Sequence, residues 1–197
     1  MTGLRERKKH QTRLEIMYAA IRLFNERGFD EVTVEQIADA ANVSPSTFFR
    51  YVDSKAGAAF GFAGARLSEL QRMIDERVAN TPVLDAVRAF WLGVAPAVVA
   101  DPDVYRGQIT LSDRHPAVAA ERARVFDDAR ALVAGSLRRE DPARSSHEVE
   151  MLAALSISAG FTAQRVWHDE GGDIFEVFEA CWEIVARASG RPPETPN

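Results

Sequence analysis

VEQIADAANVSPSTFFRYVDSK, residues Val34 to Lys55, carries the local signals of two short helices joined by a tight turn. Thr33, just before it, is a helix N-cap with Gln36 three residues on, the spacing at which side chain and backbone satisfy each other's orphan donors. Ile37, Ala38 and Ala41 then give a one-sided apolar stripe. Asn42 follows where a turn needs a residue that tolerates positive φ. Ser44 caps a second helix, and Pro45 takes its first position, where a missing N–H costs nothing. This helix runs from Pro45 to Val52 and stops at Asp53 and Ser54. Helix, tight turn and helix form a unit that lays its second helix in the DNA major groove. The stretch predicts DNA binding.

The charge distribution supports that expectation only after it is divided. Over all 197 residues the net charge is −5. Residues 1–55 hold 9 Lys and Arg against 8 Asp and Glu, and residues 56–197 hold 15 against 21. Between Thr2 and Arg13, Arg5, Arg7, Lys8, Lys9 and Arg13 face only Glu6. Beside a reading helix such a basic arm suits phosphate contact, and standing alone it would be a solvated tail. Within the second helix, Ser46, Thr47, Arg50 and Tyr51 are the polar side chains. Arginine can take guanine bidentately, whereas hydroxyls reach phosphates or base edges. Phe48 sits where a core anchor would be. Phe49 contacts a thymine methyl or a sugar, or else simply packs. Lys55 is positioned as a phosphate clamp.

Apolar periodicity predicts helices almost everywhere else. Thr12 to Arg27, with the pattern extending back toward Leu4, ends at Gly28. Ser54 opens a long helix to about Ala79, and Thr81-Pro82 another to about Ala100 that Pro96 should kink or shorten. Asp101-Pro102 starts a helix to about Ser112, and His115-Pro116 starts one to Arg139. After a polar loop, Ser146 to His168 and Asp173 to Ala188 follow, split by Gly171-Gly172. The expected fold is all-α with about nine helices. A DNA-binding unit at 1–55 precedes a ligand-binding and dimerisation bundle at 56–190 and a disordered tail at 191–197.

The residues Gly28-Phe29, Thr33, Ile37-Ala38, Val43-Ser44 and TFFRYVDSK resemble the DNA-binding domain of the tetracycline-repressor (TetR) family over about residues 10–58. The resemblance implies a dimeric repressor whose variable C-terminal bundle binds a small effector. It implies phosphate contacts by Thr33, Ser44, Thr47, Tyr51 and Lys55, and base reading by Ser46 and Arg50. Two positions depart from the family pattern. Asn42 replaces the usual turn glycine, and Phe49 replaces a tyrosine and has no hydroxyl to offer a phosphate. The FRYVDSK ending and the segment SDRHPAVAAERARVFDDAR are also similar to an actinobacterial branch with acyl-CoA-like ligands, and there Arg122 and Arg124 either meet ligand phosphates or are simply solvated.

The bundle itself is less explicit. Phe60, Phe62, Phe90, Trp91, Tyr105, Phe126 and Phe161 could line an apolar pocket with Arg106, Gln108, His115 and Gln164 as polar anchors, or form a packed aromatic core. Gly57, Gly61 and Gly64 share one helix face, through close packing or as a compliant connector. Ile174, Val177, Phe178, Cys181 and Val185 recur at helical spacing, and Leu152, Leu155, Ala159, Thr162 and Val166 do so on the preceding helix. With Trp167 and Trp182 added, these faces predict a four-helix homodimer interface.

No catalytic constellation, cofactor motif or metal-ligand spacing is legible. The four histidines are scattered, and Cys181 reads as a buried thiol. A single cysteine suits a reducing cytoplasm, the N-terminus lacks the apolar centre of a signal peptide, and no apolar run approaches the roughly 20 residues that span a bilayer. The competing expectation is a helical carrier or enzyme with a vestigial DNA-binding unit.

Overall fold

The computed structural model describes residues 2–77 and 81–190, with side chains from residue 8 onward. The expectation of a disordered tail at 191–197 lies outside the described residues. Among those described there are nine α-helices, one 3-10 turn and no strand. In chain order they are α1 (Thr2–Arg27), α2 (Val34–Ala40), α3 (Pro45–Tyr51), the turn at Gly57–Phe60, α4 (Ala63–Asp75), α5 (Val83–Ala100), α6 (Pro102–Arg114), α7 (Pro116–Glu140), α8 (Ser146–Glu170) and α9 (Ile174–Ala188). The chain divides into two compact units, one of Met1–Arg66 with Asp103–Val125, the other of Leu67–Pro102 with Phe126–Asn197. This division differs from a simple cut after residue 55, because α6 and the start of α7 join the N-terminal helices.

The first unit is held by one apolar core. Ile16, Ala20, Leu23 and Phe24 of α1 meet Phe29, Val32, Ile37, Ala38, Phe48 and Val52, with Leu111 and Val118 added from α6 and α7. Phe29 is central, its ring 4.9 Å from Phe24 and 4.8 Å from His115. His115, expected as a pocket anchor, is instead part of this core packing. Gln108 likewise is buried and donates its amide to the Ala59 carbonyl. A side chain on Gly107 would come within 3.0 Å of Ile21 and Asn25, so the missing Cβ is what lets α6 lie against α1.

The long helix expected from Ser54 is broken in the structure. Ser54 Oγ accepts from Gly57 N at 2.9 Å, and the chain makes a 3-10 turn before α4 begins at Ala63. At Gly61 the chain passes close to α1, where a Cβ would fall 2.5 Å from the Arg13 carbonyl oxygen. Close packing against α1 therefore accounts for Gly61, while Gly64 has open space around it. Pro96, expected to kink or shorten its helix, lies inside α5 without shortening it, for the helix continues to Ala100.

In the second unit α8 and α9 pair, and α5 packs on both. Val83, Val87, Phe90, Trp91, Val94 and Val98 bury one side of α5. By composition α5 is long and apolar enough to cross a membrane, closer to that limit than the sequence reading allowed. Its burial here, around the half-buried ion pair Arg88–Glu179 (2.8 Å) with α9, is that of a core helix. Glu140 accepts from Val83 N at 2.6 Å and from Arg144, closing the start of α5 against the end of α7.

Candidate functional site

The helix-turn-helix is built from caps and one strained turn. Thr33 Oγ1 accepts from Gln36 N at 3.3 Å and Gln36 Oε1 accepts from Thr33 N at 2.9 Å, the reciprocal box expected. Asn42 is the one non-glycine residue at positive φ among those described, at 52°, and Val43 N closes the turn on Ala38 O at 2.9 Å. Ser44 Oγ then accepts from Thr47 N at 3.1 Å. The same hydroxyl donates to Thr47 Oγ1 at 3.0 Å and lies 2.9 Å from Ser46 Oγ, so three hydroxyls cluster where α3 begins.

Two adjacent phenylalanines fix how α3 is displayed. Phe48 is 0% exposed in the core and Phe49 is 54% exposed. With Phe48 as the anchor, Ser46, Phe49 and Arg50 are turned outward together. Phe49 does not pack into the core, and its edge contact with Phe48 (5.3 Å) leaves most of its ring in solvent. Arg50 Cζ rests 5.0 Å from the Tyr51 ring centroid, which pre-positions its guanidinium beside the outer face. On the other side of Tyr51, Arg13 Nε donates to the Tyr51 carbonyl at 3.2 Å. In the sequence Arg13 is simply one charge of the basic arm. Its bond to the last carbonyl of α3 makes it a positioning residue that no spacing in the sequence announces.

Lys55 departs from the expected phosphate clamp. Its ammonium donates to the Phe29 carbonyl at 2.8 Å and the Val32 carbonyl at 3.0 Å, with the Asp30 carbonyl at 3.5 Å, and sits 4.3 Å from the Phe29 ring centroid. An ammonium has three donors, and here they gather the loop between α1 and α2. Lys55 pins the frame of the motif.

The aromatic residues expected as one pocket fall into both units. Phe60 and Tyr105 belong to the first, where Tyr105 is buried and stacks on Phe62 at 5.7 Å. Phe90, Trp91, Phe126, Phe161 and Gln164 belong to the second. There Phe90–Trp91, Trp91–Phe161 and Phe161–Phe126 form a chain of edge-to-face contacts at 5.3, 5.6 and 5.7 Å. Trp91 is fixed twice over. Its Nε1 donates to the Ser156 carbonyl at 3.2 Å, and its indole covers Gly160, where a Cβ would fall 2.1 Å from the ring. Phe90 and Trp91 are thus buried floor, whereas Phe126, Phe161 and Gln164 are half-buried.

The expected dimer stripe also divides. Ile174, Phe178 and Val185, with Trp167 and Trp182, are buried within their own unit, because α9 uses that side against α5 and α8. Ala159 is buried as well. The surface left outward holds Leu155, Thr162 and Val166 on α8 and Val177 and Cys181 on α9, joined by Met151, Phe175 and Ile184, which the periodicity had left out. Burial raises the Cys181 thiol pKa above its ordinary value, which keeps it a neutral, weakly nucleophilic group.

A helix-turn-helix whose second helix exposes hydroxyls, an arginine and a phenylalanine over a rigid core defines a DNA-binding protein of the regulator class. The family model described as bacterial regulatory proteins, tetR family, matches residues 16–57, and the MftR C-terminal domain matches residues 81–193. The chain belongs to the tetR family of bacterial regulatory proteins, with a C-terminal domain of the MftR type, and is a DNA-binding transcriptional regulator. It is 27% identical to the HTH-type transcriptional regulator TcmR of Streptomyces glaucescens, covering 92% of this chain and 84% of that one. It is 25% identical to the protein named as mycofactocin biosynthesis transcriptional regulator MftR of Mycobacterium tuberculosis, over 94% of both. Among solved structures, FadR of Thermus thermophilus in complex with lauroyl-CoA shares its fold with a TM-score of 0.59 at 22% identity, covering 94% of this chain and 99% of that one. The SmeT–triclosan complex does so with a TM-score of 0.67 at 17% identity, covering 95% and 98%.

Proposed function

We propose that this chain is a cytoplasmic repressor that binds a palindromic operator as a homodimer and leaves it when a small apolar or amphipathic effector binds. The observation that carries the reading is the opposed placement of Phe48 and Phe49, which turns Ser46, Phe49 and Arg50 outward as one surface. Ser46 and Arg50 read base edges, and Phe49 meets a sugar or a thymine methyl. Thr33, Ser44, Thr47 and Tyr51 bond phosphates and set the register. Lys55 holds the loop that carries Thr33. In this proposal α1–α3 do the reading, and the helices after residue 56 supply sensing and dimerisation.

A palindrome requires two α3 helices about 34–36 Å apart, one DNA turn. The outward faces of α8 and α9 are proposed to pair across a two-fold axis, with Leu155, Thr162, Val166, Val177, Cys181 and Ile184 at the contact. The effector is proposed to lie on Phe126, Phe161 and Gln164 above the Phe90–Trp91 floor. An acyl-CoA-like ligand is one chemistry that fits, and lauroyl-CoA in the FadR complex and triclosan in the SmeT complex show what that fold accommodates elsewhere. An effector that prefers a differently spaced dimer lowers DNA affinity by linkage, and DNA lowers effector affinity by the same factor. TcmR and the mycobacterial MftR are each named as transcriptional regulators, which stands against the carrier or enzyme reading.

The experiment is selection of bound duplexes from a random pool, followed by titration of the selected DNA with lauroyl-CoA and triclosan. A palindromic consensus, bound with steep salt dependence and released by one of the compounds, is the expected result. Recovery of no consensus sequence would overturn the proposal.

A further inference from the structure

Arg66 is a cation set among aromatic rings. It lies on the first turn of α4, one turn after Phe62, and its Cζ stands 4.4 Å from the Phe62 ring centroid and 5.6 Å from that of Tyr105. Its Nη2 donates to the Tyr105 hydroxyl. Phe62 and Tyr105 stack on each other at 5.7 Å. Among the described residues no carboxylate forms an ion pair with it. Burial pulls its pKa below the usual arginine value, with the Tyr105 and Tyr18 phenols acting in the opposite sense. Phe62, Arg66, Tyr18 and Tyr105 all belong to the first compact unit.

Withdrawing a charge from water without pairing it is costly, so a half-buried arginine held by rings and a phenol oxygen is an incomplete arrangement. A guanidinium has five donors in a planar fork that matches a carboxylate bidentately, and aromatic faces beside it suit an apolar body. We infer that Arg66, framed by Phe62 and Tyr105, binds the carboxylate of an amphipathic organic acid within the first unit. This site goes beyond the proposed effector surface, whose residues all belong to the second unit. Arg66 is the recognition group and Tyr105 orients it.

The test uses the full chain with 2-naphthoate and dodecanoate, their methyl esters, and inorganic phosphate as probes, read by calorimetry and thermal shift. The wild type should bind each acid at least about tenfold more tightly than its ester, as expected for a charge-assisted bidentate pair. Phosphate alone should give no comparable stabilisation. Arg66→Gln should bring acid and ester to within about twofold of each other, while Arg66→Lys keeps part of the preference. Without ligand, Arg66→Met should melt no lower than the wild type, because it removes an unpaired cation. Equal binding of acid and ester, phosphate stabilising as well as the acids, or an acid preference that survives Arg66→Gln would each overturn the inference. So would a large fall in the melting temperature of Arg66→Met, which would make the cation structural.

Discussion

The helix-turn-helix and the α8–α9 pair are both helical hairpins with apolar stripes, yet one announces its outward face and the other does not. In α3 a single seven-residue helix has one neighbourly side, so Phe48 inside fixes Phe49 and Arg50 outside. In α9 apolar residues cover more than half the circumference. Ile174, Phe178, Trp182 and Val185 are buried in the unit, whereas Phe175 and Ile184 remain exposed. A hydrophobic period states that a helix has an apolar face, and it is silent on whether that face meets its own domain or a second chain. The contrast teaches that a wide stripe must be divided by tertiary packing before any half is assigned to a partner.

The sharpest way to break the comparison is the phenylalanine pair. Phe48→Ala should cost about 3–5 kcal/mol of stability, in line with large-to-small changes in a closed core. Phe49→Ala should leave stability within about 0.5 kcal/mol, as for other surface changes, while weakening operator binding. Chemical denaturation measures the first effect and DNA titration the second; equal stability losses would erase the division of α3 into an anchor and a reading face. Next in size is Gly160→Ala. The new methyl would occupy the Trp91 indole, and overpacking of this kind costs about 1–3 kcal/mol despite the gain in helix propensity. A thermal shift upward would contradict the fixed-floor view of Trp91.

Ser44→Ala should lower stability by about 1 kcal/mol through loss of the α3 cap, with Ser44→Asp recovering most of it. Because Asp would also repel phosphate, cap and contact separate: stability returns in that variant and DNA affinity does not. The smallest stability effect belongs to Ile184→Glu. At 54% exposure its fold should hold to within about 0.5 kcal/mol, while sedimentation shifts from dimer to monomer. The neighbouring Val185→Glu, at 2% exposure, should unfold the domain instead. A dimeric Ile184→Glu would move the interface off the outward face of α9.

The motif was legible because its signals are local and stand at fixed offsets. Thr33 with Gln36, Asn42 in the turn and Ser44 with Pro45 each depend on neighbours within four residues, and all appear in the structure as read. What was missed depends on distant contacts. The close approach of Gly61 to the Arg13 carbonyl joins positions 48 apart in the chain. Lys55 looked like a clamp because its place after α3 is local, while the three carbonyls it gathers come from residues 29–32. Tyr105 was grouped with Phe90 and Trp91 by residue type, and packing set it beside Phe62 and Arg66 instead. Arg66 carried one faint signal, its position one helical turn after Phe62.

The central claim is that α3 reads sequence through Arg50. Its most direct test is the ratio of dissociation constants for the selected palindrome and a scrambled duplex, measured at one salt concentration for wild type and Arg50→Ala. A bidentate base contact is worth roughly 1–3 kcal/mol, so the ratio should fall by about ten- to a hundredfold while binding to scrambled DNA changes little. An unchanged ratio, with both duplexes weakened alike, would make Arg50 a phosphate contact and contradict the account.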